Sequence, residues 1–429
     1  MTQITAETEH RQTIARDVKL VGLVSAAHGM SHFYQLVLPP IFPLLTKAFG
    51  VGYIEFGLLT ALMYVASGVL QTPAGMLVDR LGPGPVLIAG LGLFSGSVLL
   101  FGLVPGFCWL APLAIVAGLG SCVFHPADYA IMNARVGASR LGRAYSAHSL
   151  AGNIGWIAAP ASVLGLTALF GWRAALVILG AAGLLFTVYL ASQRAVLSEA
   201  PERAPKAAAD AASGGQVATG VLLSAPILMC FLYFTLLSIS LAGWQTFLPS
   251  AAIAAFGVSI AAANFMLTAF LLAASVGVLA GGIIVDRFPR HEVVVAVGLA
   301  AAAAFSLVLA VAAQPIAGLL ACASLAGLAL GGAGPARDML VRRATPAGAT
   351  GKVFGFVYSG LDLGAVIASP VLGLLLDHDL PRLVFVVAAI ALVGAIGSAV
   401  VVGVGRVETT RRATTGAPAT RGDAEGHPA

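Results

Sequence analysis

The segment Gly75-Met-Leu-Val-Asp79-Arg80-Leu-Gly82 gives the first indication of how this chain folds. It ends an apolar run of helix length with an adjacent acid and base, and it recurs as Gly282-Ile-Ile-Val-Asp286-Arg287, 207 positions later. A repeat at that distance in a chain of 429 residues predicts two copies of one large unit.

The composition predicts the solvent in which those two units fold. Hydrophobic residues make up 59% of the chain and charged residues only 10%, whereas soluble domains carry roughly 25% charge. Apolar runs recur from Leu20 nearly to Gly405, and about 20 apolar residues cross about 30 Å of hydrocarbon. Because only helices satisfy their own backbone there, we predict an all-α membrane protein with twelve transmembrane helices.

Helix and domain boundaries follow from the apolar runs. The predicted helices cover residues 19–46, 53–80, 85–104, 108–135, 141–170, 172–194, 226–255, 259–287, 293–313, 315–343, 349–377 and 381–404. The predicted domains are an N-terminal tail (1–18), a six-helix bundle (19–196), a linker (197–219), a second six-helix bundle (220–405) and a disordered tail (406–429). The linker lacks apolar periodicity, which indicates flexibility.

Basic residues are distributed unequally between the two sides of the predicted spans. Of the 23 Lys and Arg residues, only Lys47, Arg173 and Arg382 fall on one side, and 20 fall on the side of both termini. Arg337 is uncertain in this count because it falls within predicted helix 10. The bias predicts that both termini are cytoplasmic, in a bacterial inner membrane. The net charge of +5 forms no patch, so no nucleic-acid partner is predicted.

Several other classes of site find no support in the sequence. Residues 1–19 do not have the pattern of a cleavable signal peptide, so the first helix is expected to direct insertion. The four cysteines lie far apart in apolar helices and are interpreted as packing residues. Without a nucleotide-binding loop, zinc-ligand spacing or nucleophile motif, we predict no cofactor, no metal and no enzymatic activity.

Polar side chains are concentrated in predicted helices 1, 4 and 5. In helix 1, His28, His32, Gln35 and Pro39 are spaced four, three and four apart and share one face. Such a face is costly against lipid, so it should line a water-filled cavity, unless these groups merely bond to neighbouring helices.

Helices 4 and 5 add further polar groups at membrane depth. His125 and Asp128 lie one turn apart around Pro126 in helix 4, and helix 5 carries His148 near its start. A buried titratable pair usually has a function, although Asp128 could instead pair with a loop arginine near the cytoplasm.

The repeat extends well beyond the opening stretch. Gln35 and Pro39 correspond to Gln245 and Pro249 at an offset of 210, while Gly118, Pro126, Asn153, Gly155 and Arg173 correspond to Gly327, Pro335, Asp362, Gly364 and Arg382 at an offset of 209. With six helices per copy, both copies insert with the same orientation and can rock about a shared central site. This arrangement predicts a transporter that works by alternating access.

These residues resemble the major facilitator superfamily. Its signature between helices 2 and 3 is similar to Gly75, Asp79, Arg80 and Gly82 and, more loosely, to Gly282, Asp286 and Arg287; the first copy departs from it at Pro83 and Gly84, where basic residues are usual. The resemblance implies two parallel six-helix repeats in which this cytoplasmic gate motif fastens the halves in the outward-facing state.

Helices 1 and 4 resemble the fosmidomycin-resistance-like drug:proton antiporters of that superfamily. The similarity rests on the pattern His28, Gln35, Pro39 and on Gly120-Ser-x-x-Phe124-His125-Pro126. The exporters' helix 1 acid falls at His32 here, and the acid after their His-Pro pair falls at Ala127, one position before Asp128. Either departure could change the coupling ion or the substrate.

The leading hypothesis is a monomeric, proton-coupled exporter of a small organic molecule. The candidates for proton coupling are Asp128, Asp362, His28, His32, His125 and His148. The candidates for substrate binding are Tyr34, Gln35, Trp244, Gln245, Asn264, Tyr358 and Arg337. The candidates for helix bending are Pro126, Gly155, Pro160, Pro335 and Pro370. An interfacial or lipid-facing packing role fits Tyr34 and Trp244 about equally well.

Two alternatives remain open at the level of sequence. Proton-coupled uptake of an organic anion is motivated by Arg337 and the histidines, although Arg337 and Asp338 could form a self-neutralising pair. A non-transporting sensor would need an added signalling domain, and the predicted tails and linker are short and poor in apolar residues.

Overall fold

The computed structural model describes residues 2–198, 222–346 and 350–414, which are almost entirely helical and contain no β-strand. We number the helices α1 to α12 so that each number matches the predicted crossing. The first half comprises α1 (Thr2–Gln35, continued by Phe42–Phe49), α2 (Tyr53–Leu81), α3 (Pro83–Phe101), α4 (Leu110–Ser121 and Phe124–Arg135), and α5 with α6 (Ala138–Ser192). The second half comprises α7 (Ala225–Leu241, a π-helical stretch Ala242–Phe247, and Leu248–Phe256), α8 (Ile260–Arg287), α9 (His291–Val311), α10 (Ile316–Ala344), α11 (Thr350–Asp377) and α12 (Pro381–Thr414).

The number of membrane crossings agrees with the predicted fold. Ten helices among the described residues are long and apolar enough to span a bilayer. One of them, Arg140–Ser192, would be about 80 Å long as a straight helix, and the backbone at Gly171 (φ 81°, ψ 158°) divides it into α5 and α6. Together with α1, which is less apolar because of its histidines, these helices are consistent with twelve crossings. The all-α fold is confirmed.

Helix ends differ from the prediction at both termini of the chain. α1 begins at Thr2 rather than near residue 19, and α12 continues to Thr414 rather than ending near residue 404. Apolar runs mark only the part of a helix that lies in hydrocarbon, and a helix can continue into water. Residues 199–221, which hold most of the predicted linker, and residues 415–429 lie outside the described residues.

The sequence repeat is also a repeat of packing. α1 packs on α5 as α7 packs on α11, α2 on α4 as α8 on α10, and α3 on α6 as α9 on α12. Arg173 donates to the carbonyls of Gly102 (3.2 Å) and Val104 (2.7 Å) at the end of α3. Its counterpart Arg382 donates to Ala310 (3.3 Å) at the end of α9. Each of the two arginines therefore donates to the backbone at the end of the third helix of its own half.

The halves contact each other through α2 with α11 and through α8 with the α5–α6 helix. We call the side that carries both chain ends the termini face and the opposite side the far face. Hydrogen bonds between described residues of the two halves include the following three. The Asp377 carboxylate accepts from the backbone N–H groups of Tyr53 (2.6 Å) and Ile54 (2.8 Å), and Asn264 Nδ2 donates to the Pro40 carbonyl (3.0 Å). All three lie toward the far face, which is closed in this conformation.

Candidate functional site

Five polar side chains meet where α1, α4 and α5 come together in the first half. We call His28, His32, His125, Asp128 and His148 the histidine–aspartate cluster. Asp128 is at its centre and has no solvent contact (0% exposed). Its Oδ2 lies 3.0 Å from His148 Nε2, within a hydrogen bond, and 3.2 Å from His28 Nδ1. The pairing with a loop arginine considered for Asp128 is not what the structure contains.

The imidazole rings form a contiguous group around that carboxylate. His28 stacks on His148 with 3.7 Å between ring centroids and 25° between planes. His32 lies 4.3 Å and His125 5.5 Å from the His28 ring. The four rings and the Asp128 carboxylate thus form one contiguous polar group inside the first half.

Local helix geometry explains how these side chains reach one another. The α-helical pattern of α4 is interrupted at Cys122 and Val123, just before the His125–Pro126 pair, because Pro126 has no backbone N–H to continue the helix. On α5, a Cβ at Gly152 would lie 2.8 Å from His32 Nδ1 and 3.1 Å from His28 Nε2. Only glycine leaves room there for both rings.

Gly155 also brings α5 close to α1, because a Cβ there would overlap the Gly29 carbonyl. The structure therefore places this predicted helix-bending residue at a close helix contact. Pro126 adjoins the interruption in α4, whereas Pro160, Pro335 and Pro370 lie inside helices that continue through them.

Hydrogen bonding within the cluster is incomplete. Asp128 Oδ1 and His32 Nδ1 are buried without a hydrogen-bond partner among the described residues, and His28 Nδ1 is near Asp128 Oδ2 but not aligned for a hydrogen bond. Buried polar atoms are normally paired, and leaving one unpaired costs about 1–3 kcal/mol. The cluster can therefore accept a proton on a free carboxylate oxygen or a free ring nitrogen.

The geometry of this cluster fits a metal ion poorly. His28, Asp128 and His148 each offer a ligand atom, and these atoms lie within 4.8 Å of one another. An imidazole binds a metal close to its ring plane, however, and two stacked rings only 25° apart do not share such a point near their nitrogens. Metal binding would require one of the two rings to rotate.

One edge of the cluster is open. His125 and Tyr129 are exposed (Tyr129 43%) although they lie in a helix that packs against α1, α2, α3 and α5. Tyr129 is within electrostatic range of Asp338 of the second half, so this exposed side of α4 is turned toward that half. The cluster thus connects to the space between the halves through His125.

Two aromatic residues at this edge were not predicted. Trp156 stacks on His32 (4.3 Å) and donates from Nε1 to Gln35 Oε1 (3.1 Å), so it orders the predicted face of α1. Tyr129 lies 5.7 Å from the His148 ring. A signal for Trp156 exists in the sequence, since His148, Gly152 and Trp156 are spaced four apart and share one helix face.

In the second half, Arg337 and Tyr358 are brought together by Asp338. Arg337 Nε donates to Asp338 Oδ1 at 2.8 Å, and the Tyr358 hydroxyl donates to the same oxygen at 3.0 Å. The guanidinium also lies over the Phe234 ring, 4.9 Å from its centroid. The adjacent arginine and aspartate are thus paired, as the self-neutralising alternative predicted, but only through one nitrogen.

Asp362 lies apart from both groups. Its carboxylate packs against Gly68 of α2 in the other half, where a Cβ would be 3.3 Å from Oδ2. No hydrogen bond or ion pair joins the Asp362 side chain to another described residue. The two predicted coupling carboxylates therefore occupy separate places, one inside the first half and one between the halves.

Four other predicted substrate contacts lie away from these groups or are largely buried. Tyr34 (3% exposed) donates to the Leu179 carbonyl at 3.0 Å, and Trp244 (0%) stacks on Phe270 at 5.0 Å. Asn264 is buried and bonds to Pro40, while Gln245 is half-buried in the π-helical stretch of α7. Tyr34 and Trp244 therefore pack inside the protein, and not at the membrane interface or against lipid as the alternative for them supposed.

The fold and these sites define a multi-pass membrane transporter built from two six-helix repeats. The sequence profile of the Major Facilitator Superfamily matches residues 23–254 and again 233–425, so the chain belongs to this family. Members of the family carry small molecules across membranes and are transporters rather than enzymes.

Comparisons with known proteins agree with this assignment. The chain is 28% identical to the fosmidomycin resistance protein of Escherichia coli (strain K12), over 86% of this chain and 89% of that protein. It is also 28% identical to a probable L-galactonate transporter of the same organism, over 32% of this chain and 31% of that protein. A bacterial homolog of the human lysosomal transporter Spinster, in an inward-facing, unoccupied conformation, has the same fold: TM-score 0.73, 17% identity, 92% of this chain and 98% of that chain.

Proposed function

We propose that this transporter is a proton-coupled exporter of a small organic molecule that works by alternating access. The single observation that carries the proposal is the Asp128 carboxylate, which is fully buried, bonded to His148 and unpaired at Oδ1. A carboxylate without solvent needs a proton or a cationic partner to balance its charge. Any change that opens the cluster to water alters that balance.

The proposed cycle links protonation of the cluster to the packing of α4 and α5. When a proton enters through His125, Asp128 becomes neutral and its charge-assisted bond to His148 weakens. Because Asp128 belongs to α4 and His148 to α5, the relative stability of the two arrangements of these helices then changes. Protonation can thereby favour one facing state over the other.

Asp362 is proposed to act as a second proton-sensitive group. Its carboxylate lies in the contact between α2 and α11, against Gly68. A neutral side chain fits such a contact, whereas an ionised and unpaired one favours hydration and hence separation of the helices. The protonation state of Asp362 would therefore bias how tightly the two halves close.

Topology and relatives support the direction and location that we propose. The excess of Lys and Arg on the termini face favours an inner membrane with both termini in the cytoplasm, which makes the far face periplasmic and the described conformation inward-facing. Similarity to a fosmidomycin resistance protein over most of both chains supports export. We propose that the chain acts as a monomer, since each six-helix half packs against the other within one chain.

Proton-driven efflux in inverted membrane vesicles tests this proposal, with fosmidomycin as the probe. Asp128→Asn is expected to reduce efflux driven by a pH gradient by about 100-fold or more while leaving exchange without a gradient measurable. Asp379→Asn, at an exposed position on the far face, is the matched control and should retain wild-type efflux. If Asp128→Asn and Asp362→Asn both left gradient-driven efflux unchanged, the coupling assignment would be wrong.

Uptake of an organic anion with protons is the second candidate function. Arg337 favours it, because a cation within a membrane span attracts an anionic substrate. The measurement that separates the two functions is direction: vesicles of both orientations are energised, and accumulation inside right-side-out vesicles alone would favour uptake.

A further inference from the structure

The repeat places opposite charges at equivalent positions of its two copies. The offset of 209 residues that relates Pro126 to Pro335 also relates Asp128 to Arg337. In the first half this position carries an acid held by histidines, and in the second half it carries a base. The two copies thus carry a proton-binding group and a cation at equivalent positions of α4 and α10.

Arg337 uses only part of its hydrogen-bonding capacity. Nε is bonded to Asp338, and one face of the guanidinium covers Phe234. Neither terminal nitrogen has a hydrogen-bond partner among the described residues. The side chain is 22% exposed within a membrane-spanning helix. An edge with two parallel N–H groups is therefore available.

The groups around Arg337 lie near residues of the first half. Asp338 and Tyr358 lie beside Arg337 in the second half, and Tyr129 of the first half is within electrostatic range of both. Tyr233, which is buried, is also close to the guanidinium. Arg337 thus lies beside residues that are within electrostatic range of Tyr129 on the exposed side of α4.

We propose that Arg337 is an anion-binding subsite and that the transported molecule is a small organic acid. This inference rests on the proposed transport function and names the substrate class. A guanidinium edge matches a carboxylate, phosphate or phosphonate group with two parallel hydrogen bonds. The aromatic and phenolic groups of Tyr129 and Tyr358 can contact the rest of the molecule.

Asp338 positions the Arg337 guanidinium in this subsite and does not itself contact the bound acid. Its Oδ1 is occupied by Arg337 Nε and the Tyr358 hydroxyl, which fixes the orientation of the guanidinium. Its negative charge also weakens the attraction of Arg337 for an anion. A transporter needs a site that binds its substrate reversibly, and a partly neutralised arginine provides one.

Binding to the purified full-length protein, without any gradient, tests the subsite. The probes are a panel of small carboxylic and phosphonic acids, among them L-galactonate and fosmidomycin, each compared with an uncharged amide, ester or lactone of the same skeleton. Thermal shift identifies binders, and tryptophan fluorescence measures their Kd. Acids should stabilise the wild-type protein, and their uncharged partners should bind at least about tenfold more weakly, as expected when a charge-assisted pair is lost.

Variants then assign the effect to Arg337. Arg337→Gln should weaken acid binding by about tenfold or more and leave uncharged compounds unaffected, while Arg337→Lys, which keeps the charge but not the edge, should lose less. Arg342→Gln, at an exposed position of the same helix, is the matched control. The melting temperature of each unliganded variant shows that it is folded.

Three outcomes would overturn the proposal: no acid in the panel stabilises the wild-type protein, uncharged partners bind as tightly as the acids, or Arg337→Gln retains acid binding. None of these outcomes depends on whether transport is coupled to protons. If Asp128→Asn binds acids normally but loses gradient-driven efflux, the result supports proton coupling through Asp128. If it binds acids normally and also keeps normal efflux, the proposed proton coupling is wrong and the proposed Arg337 subsite still stands.

Discussion

The two faces of the molecule join its halves in different ways. On the far face, the Asp377 carboxylate of α11 accepts hydrogen bonds from the first two N–H groups of α2. On the termini face, the paired acid and base of the repeated motif, Asp79 with Arg80 and Asp286 with Arg287, are exposed, and the described residues include no ion-pair partner for them. Among the described residues, hydrogen bonds therefore join the halves on the far face, whereas the repeated motif makes no ion pair across the termini face.

Both faces carry carboxylates that could join the halves, and in this conformation the far-face carboxylate of Asp377 does so. The N-terminus of α2 has no side-chain cap of its own, because Gly52 precedes it, and Asp377 supplies that cap from the other half. A carboxylate at a helix N-terminus satisfies free N–H groups and complements the helix dipole. By its resemblance, the motif was expected to fasten the halves in the outward-facing state, and here its acid and base make no ion pair with another described residue.

The largest effect is expected from adding a methyl group inside the far-face contact. A Cβ at Gly57 would overlap the Ser369 backbone carbonyl, and backbone cannot move aside as a flexible side chain can. Gly57→Ala should therefore force α2 and α11 apart, cost about 1–3 kcal/mol and increase the population in which the far face is open. Pulsed EPR distances between spin labels at Lys47→Cys and His378→Cys in a cysteine-free background measure that opening.

A matched substitution controls for the general effect of alanine in a helix. A Cβ at Gly165 of α5 meets nothing within 4 Å, so Gly165→Ala should leave both the label distances and the melting temperature near their wild-type values. Unchanged distances in Gly57→Ala would mean that the α2–α11 contact does not set the closed state.

Much of the fold could be predicted from the sequence because membrane helices and a duplication leave strong signals. The apolar runs located the crossings, and the 209-residue offset between Arg173 and Arg382 predicted two arginines that the structure finds in equivalent hydrogen bonds. The interruption of α1 after Gln35 and the π-helical stretch of α7 were not predicted. Apolar composition does not distinguish a regular helix from a locally distorted one.

The candidate site was only partly predictable for a different reason. Helical spacing identifies which residues share a face, and it grouped His28 with His32 and Gln35. It does not identify which neighbouring helix that face meets, so the contact of His28 and His148 with one Asp128 oxygen was not predicted. Asp377 was missed because an acid at the end of a predicted helix has the pattern of an ordinary loop residue.

A smaller effect is expected from removing the cap that Asp377 provides. Asp377→Ala leaves two N–H groups of α2 without their acceptor, and loss of a helix cap costs about 0.5–2 kcal/mol. The far-open population should rise by roughly two- to thirtyfold, detected by the same pair of labels. Asp379→Asn is the control, because its side chain bonds to no other described residue and Asn tolerates its positive φ of 56°. Equal label distances in Asp377→Ala and wild type would contradict the capping role.

The smallest effect on the described conformation is expected at the motif itself. Asp79 is exposed and lacks an ion-pair partner among the described residues, so Asp79→Asn should change the melting temperature by an amount equivalent to less than about 0.5 kcal/mol. The effect of Asp79→Asn should appear only when the conformation with an open far face is populated. Combined with Gly57→Ala, the same change should move the label distances back toward the closed far face, because the opposite state would lose the bond that the motif supplies. The contrary outcome is that Asp79→Asn as a single variant lowers the melting temperature and does not alter the label distances of Gly57→Ala. The motif would then stabilise the conformation described here, and the difference between the two faces would need another explanation.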